Sequence, residues 1–160
     1  VLVWNRDYER AEMFAARVRE ELKVEAQAAP IEVAVRRADI VVTATASRAA
    51  LVVAEWVRPG THISAMGADA PGKQELDINL TASATLVADR VAQSLTIGEF
   101  AAAGRAGRIR EEDISTLGAV ILGKTAPLRD DAVRIFDSSG TAIQDLAIAA
   151  LAIERAGDAA

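Results

Sequence analysis

Asp39-Ile40-Val41-Val42-Thr43-Ala44 reads as a strand with no polar alternation through its middle. A strand with one wet face alternates apolar and polar residues, whereas a strand covered on both faces is apolar throughout, as in a parallel sheet flanked by helices. The run is therefore expected to be a fully buried strand of a parallel sheet.

Upstream, Val1 to Asn5 reads as a short strand ended by polar residues. Asp7 can cap a helix carrying Ala11, Phe14, Ala15, Val18 and Leu22 at helical spacing. Val24 to Ala28 is a second short strand, and Pro30 can open the next helix. Downstream come a loop, a short helix near Ala54 to Val57, and a turn at Pro59-Gly60. Strands are expected at Thr61 to Met66, Thr85 to Asp89 and Ala132 to Asp137, with a long closing helix bearing Ile143, Leu146, Ala147, Ala150, Leu151 and Ile153. Strands alternating with helices imply right-handed crossovers. The fold class expected is α/β, a doubly wound parallel sheet with helices on both faces. Gly104 to Glu112 is the most linker-like stretch, but it is short, so residues 1–160 are taken as one domain.

Composition narrows the function. The 160 residues are 51% hydrophobic and only 4% aromatic, which suits small side chains packed closely on a sheet. A net charge of −5 argues against a nucleic-acid surface. With no cysteine and one histidine, neither a thiolate site nor a two-histidine metal site can form, and no metal is expected. No apolar run approaches the roughly 20 residues that span a bilayer, and no signal segment opens the chain, so a cytoplasmic protein without membrane contact is expected. Beginning inside a strand without an initiator Met is read as the start of a fragment.

Ligands of open parallel sheets bind beyond the carboxyl ends of the strands. The polar clusters there are Asn5-Arg6-Asp7, Thr43 to Ser47, Gly67-Ala68-Asp69, Asp89-Arg90 and Asp137 to Gly140. The densest run is Gly67-Ala68-Asp69-Ala70-Pro71-Gly72-Lys73-Gln74-Glu75-Leu76. Asp69 there hangs on a loop shaped by two glycines and a proline, where a general acid/base could meet a substrate. The competing reading is an exposed Asp69–Lys73 pair of little consequence, and spacing alone does not choose between them.

At this loop the sequence resembles the ornithine cyclodeaminase/mu-crystallin family, and its Gly-Ala-Asp and Gly-Lys-Gln-Glu-Leu forms are similar to the archaeal-type alanine dehydrogenase branch. Ala38 to Ser47 and Phe136 to Asp145 resemble two further family stretches, in the same order. The resemblance implies a Rossmann-like dinucleotide-binding domain, with Asp69 as the catalytic acid/base. It further implies cofactor contacts from Thr45, Lys73, Ser138 and the strand Ile63-Ser64-Ala65-Met66, and substrate contact from Ser139 and Asp69. The family's first strand and glycine-rich phosphate turn have no counterpart in the sequence. Nor has its N-terminal domain, which carries the groups that hold the substrate carboxylate and the homodimer contacts. A sheet without that strand is expected to leave an exposed edge or an open slot.

Asn5 and Arg6 follow the first strand of the chain and resemble the pattern of NADPH-binding members; an arginine there accommodates a 2′-phosphate. Asp7 works against this, since an acid repels the phosphate, unless it merely caps its helix. NADP is therefore favoured slightly over NAD. His62 is read as a hydrogen-bonded packing residue, and Trp4 and Trp56 as core or interface residues. Glu111 to Asp113 and Arg129 to Asp131 are given no role. The expected function is NAD(P)-dependent hydride transfer on a small α-amino or α-imino acid, as a dehydrogenase, imine reductase or cyclodeaminase. The alternative is a non-catalytic NADPH-binding protein of the mu-crystallin kind.

Overall fold

Parallel pairing organises the computed structural model, which describes residues 1–125 and 129–158. Its main sheet contains β3 (Ile40–Thr43), β5 (His62–Ala65), β9 (Arg134–Asp137), β7 (Thr85–Ala88) and β8 (Ile114–Thr116), in that spatial order and all parallel. The order β5-β9-β7 makes the last strand central, so the carboxyl ends of early and late strands lie side by side. Two parallel pairs stand beside it: β1 (Leu2–Val3) with β2 (Gln27–Ala28), and β4 (Arg48–Val52) with β6 (Gln74–Leu76).

Helices connect the strands. α1 (Tyr8–Leu22) begins where the Asp7 side chain accepts the N–H groups of Glu9 (3.1 Å) and Arg10 (3.4 Å), so Asp7 is a helix cap. α2 (Ile31–Arg37) follows Pro30, and α3 (Ile78–Ser83) is capped by Asp77. α4 (Val91–Ser94), α5 (Ala101–Arg105) and α6 (Leu117–Ile121) are single turns or little more, and α7 (Ala142–Asp158) closes the chain. Ile63, Leu76, Leu80, Leu86, Phe100 and Ile135 anchor one hydrophobic core. The charged stretch near Gly104 contributes Ile109 to that core.

The expected parallel sheet is present, but β3 departs from the expectation of full burial. Ile40 is 68% and Val42 65% exposed, while Val41 packs against the core and Thr43 is buried. Ile40 and Val42 share one face of the strand, so that face is uncovered while the other packs on the core, and β3 also pairs with β5 on one edge only. Its other edge faces an open apolar slot of about 560 Å³, walled opposite by β1 and closed by Phe14 of α1 and Ile31 of α2. No strand among the described residues lies between β1 and β3. The apolar run reports what β3 is built to be covered by.

Strands β4, β6 and β8 and helices α3 to α6 were not expected. β4 opens with Arg48-Ala49-Ala50 and is a strand because β6 pairs with it, a long-range cause that local pattern does not carry.

These positions predict opposite responses to substitution. Ile63→Ala, in the closed core, is expected to cost about 2–5 kcal/mol in urea unfolding. Val42→Lys, on the slot-facing side of β3, is expected to stay within about 0.5 kcal/mol. Equal losses at the two positions would contradict the assignment of β3 as an edge.

Candidate active site at the carboxyl rim of the sheet

Four strand ends converge on one rim. The ladder between β3 and β5 ends with the Met66 N–H donating to the Thr43 carbonyl (2.8 Å), and β9 joins it where the Ser138 N–H donates to the Ala65 carbonyl (3.1 Å). β7 closes the set, the Asp89 N–H donating to the Asp137 carbonyl (3.2 Å). The loops after β3, β5, β7 and β9 therefore leave the sheet together, carrying Thr45, Asp69, Asp89 and Ser138-Ser139.

Three buried carboxyl groups hold these loops. Glu75, fully buried on β6, accepts the Thr45 N–H on Oε1 (2.6 Å) and the Gly67 N–H on Oε2 (3.0 Å). Glu99, 2% exposed, accepts the N–H groups of Glu75 (3.0 Å to each oxygen) and Leu76 (2.6 Å). Asp137, fully buried at the end of β9, accepts the Glu99 N–H (3.0 Å) and the Ser94 hydroxyl on Oδ2. Two glycines make the room. A Cβ on Gly67 would lie 2.3 Å from the Thr45 carbonyl oxygen and 2.6 Å from Glu75 Cδ, and one on Gly98 would lie 2.3 Å from Asp137 Oδ2. Burial pushes Glu99 up to about 8, against the pull of its backbone donors, and pushes Asp137 up to about 6.

On the outer side of this frame, Asp69 is exposed and takes a hydrogen bond from Lys73 four residues on. That bond holds the Asp69 carboxyl below its ordinary range, so at neutral pH it is an ionised proton acceptor. Lys73 is the more buried partner, with a side chain 20% exposed. The Ser138 hydroxyl donates to Asp89 (3.1 Å), which also accepts the Gly140 N–H (3.1 Å). The hydroxyls of Thr43 and Ser139 are buried without a protein partner among the described residues. Buried hydroxyls are normally satisfied, so two orphans at a strand-end rim fit a site that receives a polar ligand.

Thr45, Met66, Asp69, Lys73, Ser138 and Ser139 thus stand on the rim or its loops. Ile63 and Ala65 are fully buried and support it from within, and Ser64 lies 3.2 Å from His62 Nε2, so His62 is hydrogen-bonded as expected. Asn5 and Arg6 follow β1; Asn5 lines the slot together with Thr45, and Arg6 does not line it. Asn5 Oδ1 accepts the Asp7 N–H (2.9 Å) and Arg6 is exposed. Glu75 is quoted within the Gly67 to Leu76 run without a role for it, and the sequence reading does not single out Glu99 or Ser94. A lone acid inside Ile97-Gly98-Glu99-Phe100-Ala101 was the available signal.

Comparison with known proteins bears on the family and the fold. The sequence profile of the ornithine cyclodeaminase/mu-crystallin family matches residues 1–160. An alanine dehydrogenase of Archaeoglobus fulgidus is 45% identical over 139 residues, 86% of this chain and 43% of the relative. The iminosuccinate reductase of Paracoccus denitrificans, solved with NAD+, superposes with a TM-score of 0.90 at 40% identity, covering 99% of this chain and 49% of that one. The Δ1-pyrroline-2-carboxylate reductase of Thermococcus litoralis, solved with NADH and L-proline, gives 0.90 at 28% identity, covering 98% and 50%. The chain thus spans about half the length of these relatives.

The carboxyl frame makes stability depend on pH in a stated direction. Glu99 and Asp137 have folded pKa values above the ordinary 4.3 and 3.9 or so of free side chains. The fold therefore binds their protons more tightly, and that stabilisation, complete below about pH 4, is lost as pH rises through about 6 and about 8. Urea midpoints are expected to fall from pH 5.5 to 8.5, and Glu99→Gln to flatten the upper part of that fall. A midpoint rising over this range would contradict the buried, protonated Glu99.

Proposed function

The chain belongs to the ornithine cyclodeaminase/mu-crystallin family, and from that premise we propose that it is the dinucleotide-binding part of an enzyme oxidising or reducing small α-amino or α-imino acids at their α-carbon. The observation that carries the reading is the rim itself: an ionised, exposed Asp69 on a glycine-framed loop, beside the orphan hydroxyls of Thr43 and Ser139. Residues 1–160 act as one domain in this reading.

The rim fits a nicotinamide dinucleotide. Thr45 and Lys73 supply a hydroxyl and a cation for its ribose and phosphate groups, with Ser138 and Met66 flanking the ring. When bound, the nicotinamide supplies or accepts the hydride at the substrate α-carbon. The chain's own contribution is protonic and positional. Asp69 Oδ1 and Oδ2 take a proton from the substrate ammonium, or from a water attacking the imine, and return it in the opposite direction. Lys73 hydrogen-bonds that carboxyl and lowers its proton affinity below the ordinary carboxylate value. Ser139 offers its hydroxyl to a polar group of the substrate. Net redox and cyclodeamination both use these steps and differ in whether the cofactor leaves changed.

For the coenzyme we favour NADP, although the two solved relatives hold NAD+ and NADH. Arg6 supports it, and Asp7 weakens it less than its charge suggests. That carboxylate is spent on the N–H groups of Glu9 and Arg10, with the Arg10 guanidinium 3.4 Å away. In the whole protein, Arg6→Ala is expected to weaken NADPH by on the order of 1–3 kcal/mol, as a lost charge-assisted hydrogen bond does, and NADH much less. Equal losses, or a parent that prefers NADH, would overturn the preference.

The decisive substitution is Asp69→Asn, which keeps the shape and removes the proton acceptor. We expect kcat to fall at least ~100-fold with cofactor affinity little changed. Lys73→Ala should do the reverse, weakening the cofactor more than the chemical step. Turnover surviving Asp69→Asn but abolished by Lys73→Ala would move the proton-handling role to Lys73. Dinucleotide binding without turnover of any amino or imino acid would favour a purely binding protein.

A further inference from the structure

Glu75 sits under the rim with no access to solvent, and it touches neither the slot nor the exposed loop surface. Its two carboxylate oxygens each face one backbone N–H, from Thr45 after β3 and from Gly67 after β5. Both amides lie one step or two beyond the last ladder bond, Met66 to Thr43, and neither has a backbone acceptor among the described residues. We propose that Glu75 is a positioning residue that ties the loop after β3 to the loop after β5, and so fixes the distance between Thr45 and Asp69. This rests on the functional reading above.

The chemistry of the two amides demands an acceptor with two oxygens at this point. A buried N–H left without a partner is costly, and here a single side chain satisfies two that belong to different crossovers. An aliphatic residue would strand both, and a glutamine would satisfy one and turn its own N–H₂ on the other. Glu75 is itself aimed from behind. Its N–H is taken by both oxygens of Glu99, whose own N–H is bound to Asp137 at the end of β9. The clamp therefore refers both loops to the strand that carries Ser138 and Ser139. Gly67 is the complementary half, because any side chain there would meet Glu75 Cδ and the Thr45 backbone and spread the loops. Glu75 acts through the amides of other residues and is not itself placed against a reacting atom.

The test is hydrogen exchange of the full-length protein, read together with NADH and NADPH affinity and turnover. In the parent, the Thr45 and Gly67 amides should be strongly protected although they lie outside every strand ladder. In Glu75→Gln, which keeps an acceptor for one amide, one of the peptides covering 44–47 and 66–69 should exchange faster, and in Glu75→Leu both should, while those of β7 and β9 do not change. Dinucleotide affinity and kcat should each fall at least ~10-fold, the loss expected when a hydrogen bond to a charged group is removed. Parent amides exchanging as freely as an open loop would overturn the clamp, and so would a Glu75→Leu variant in which only one loop loosens. Loosened loops with unchanged affinity and kcat, measured on folded protein at low temperature, would reduce Glu75 to a stabilising residue and overturn the positioning role. If Glu75→Gln does not fold, the parent's two amides still decide. Protected amides in a parent that binds no dinucleotide would refute the functional reading while supporting the clamp.

Discussion

A carboxyl group removed from water has to recover from protein donors the hydrogen bonds it gave up. At the carboxyl rim of this sheet three stand in series: Glu75 takes N–H groups from the loops after β3 and β5, Glu99 takes them from β6, and Asp137 takes the Glu99 N–H and the Ser94 hydroxyl on Oδ2, its Oδ1 having no partner among the described residues. Much else follows from that arrangement. Gly67 and Gly98 have no side chain because the carboxyls occupy the space. The short helices α4 and α5 bracket Gly98-Glu99 and deliver Ser94 and Glu99 to the frame. The strain of burial appears as raised proton affinity at Glu99 and Asp137, not as open structure. Asp69, outside the frame and beside Lys73, keeps the opposite ionisation. Buried carboxyl groups with raised proton affinity, Glu99 and Asp137, and an exposed, ionised one, Asp69, thus serve the same rim.

The parallel topology explains why function collects here. Every strand of the main sheet ends on the same side, so the loops that follow them share one rim. The slot between β1 and β3 opens beside that rim, and its lining runs from Asn5 to Thr45. It places Asn5, the neighbour of the coenzyme-selecting candidate Arg6, and Thr45 of the rim in one opening. Exposed Ile40 and Val42 mark the slot as a surface shaped for an apolar, extended neighbour.

The sequence carried the sheet and the rim well, and the frame poorly. The apolar runs at β3, β5, β7 and β9 are local signals, and each strand lies within one or two residues of where its run predicts. Asp69 and Lys73 were legible because Gly67, Pro71 and Gly72 announce a shaped loop. Glu99 is not singled out because an isolated acid reads as solvated, and Glu75 is hidden among the polar residues of the run that holds Asp69 and Lys73. Only the long-range contacts from Thr45, Gly67 and Asp137 reveal that these two are buried. The exposure of β3 was missed for the converse reason: periodicity records what a strand can be packed against, and burial depends on whether a neighbour stands there. β4 and β6 define each other across the loop that carries Asp69, so neither has a local signature.

The most direct test of the central claim is the fate of a label. The full-length protein would be incubated with an α-imino acid formed from a small keto acid and ammonia, and with reduced dinucleotide deuterated at C4 of the nicotinamide. The account predicts an amino acid carrying deuterium at its α-carbon, transferred from one face of the ring only, with label transfer suppressed in Asp69→Asn. Tight dinucleotide binding with no deuterium in any amino-acid product would contradict it.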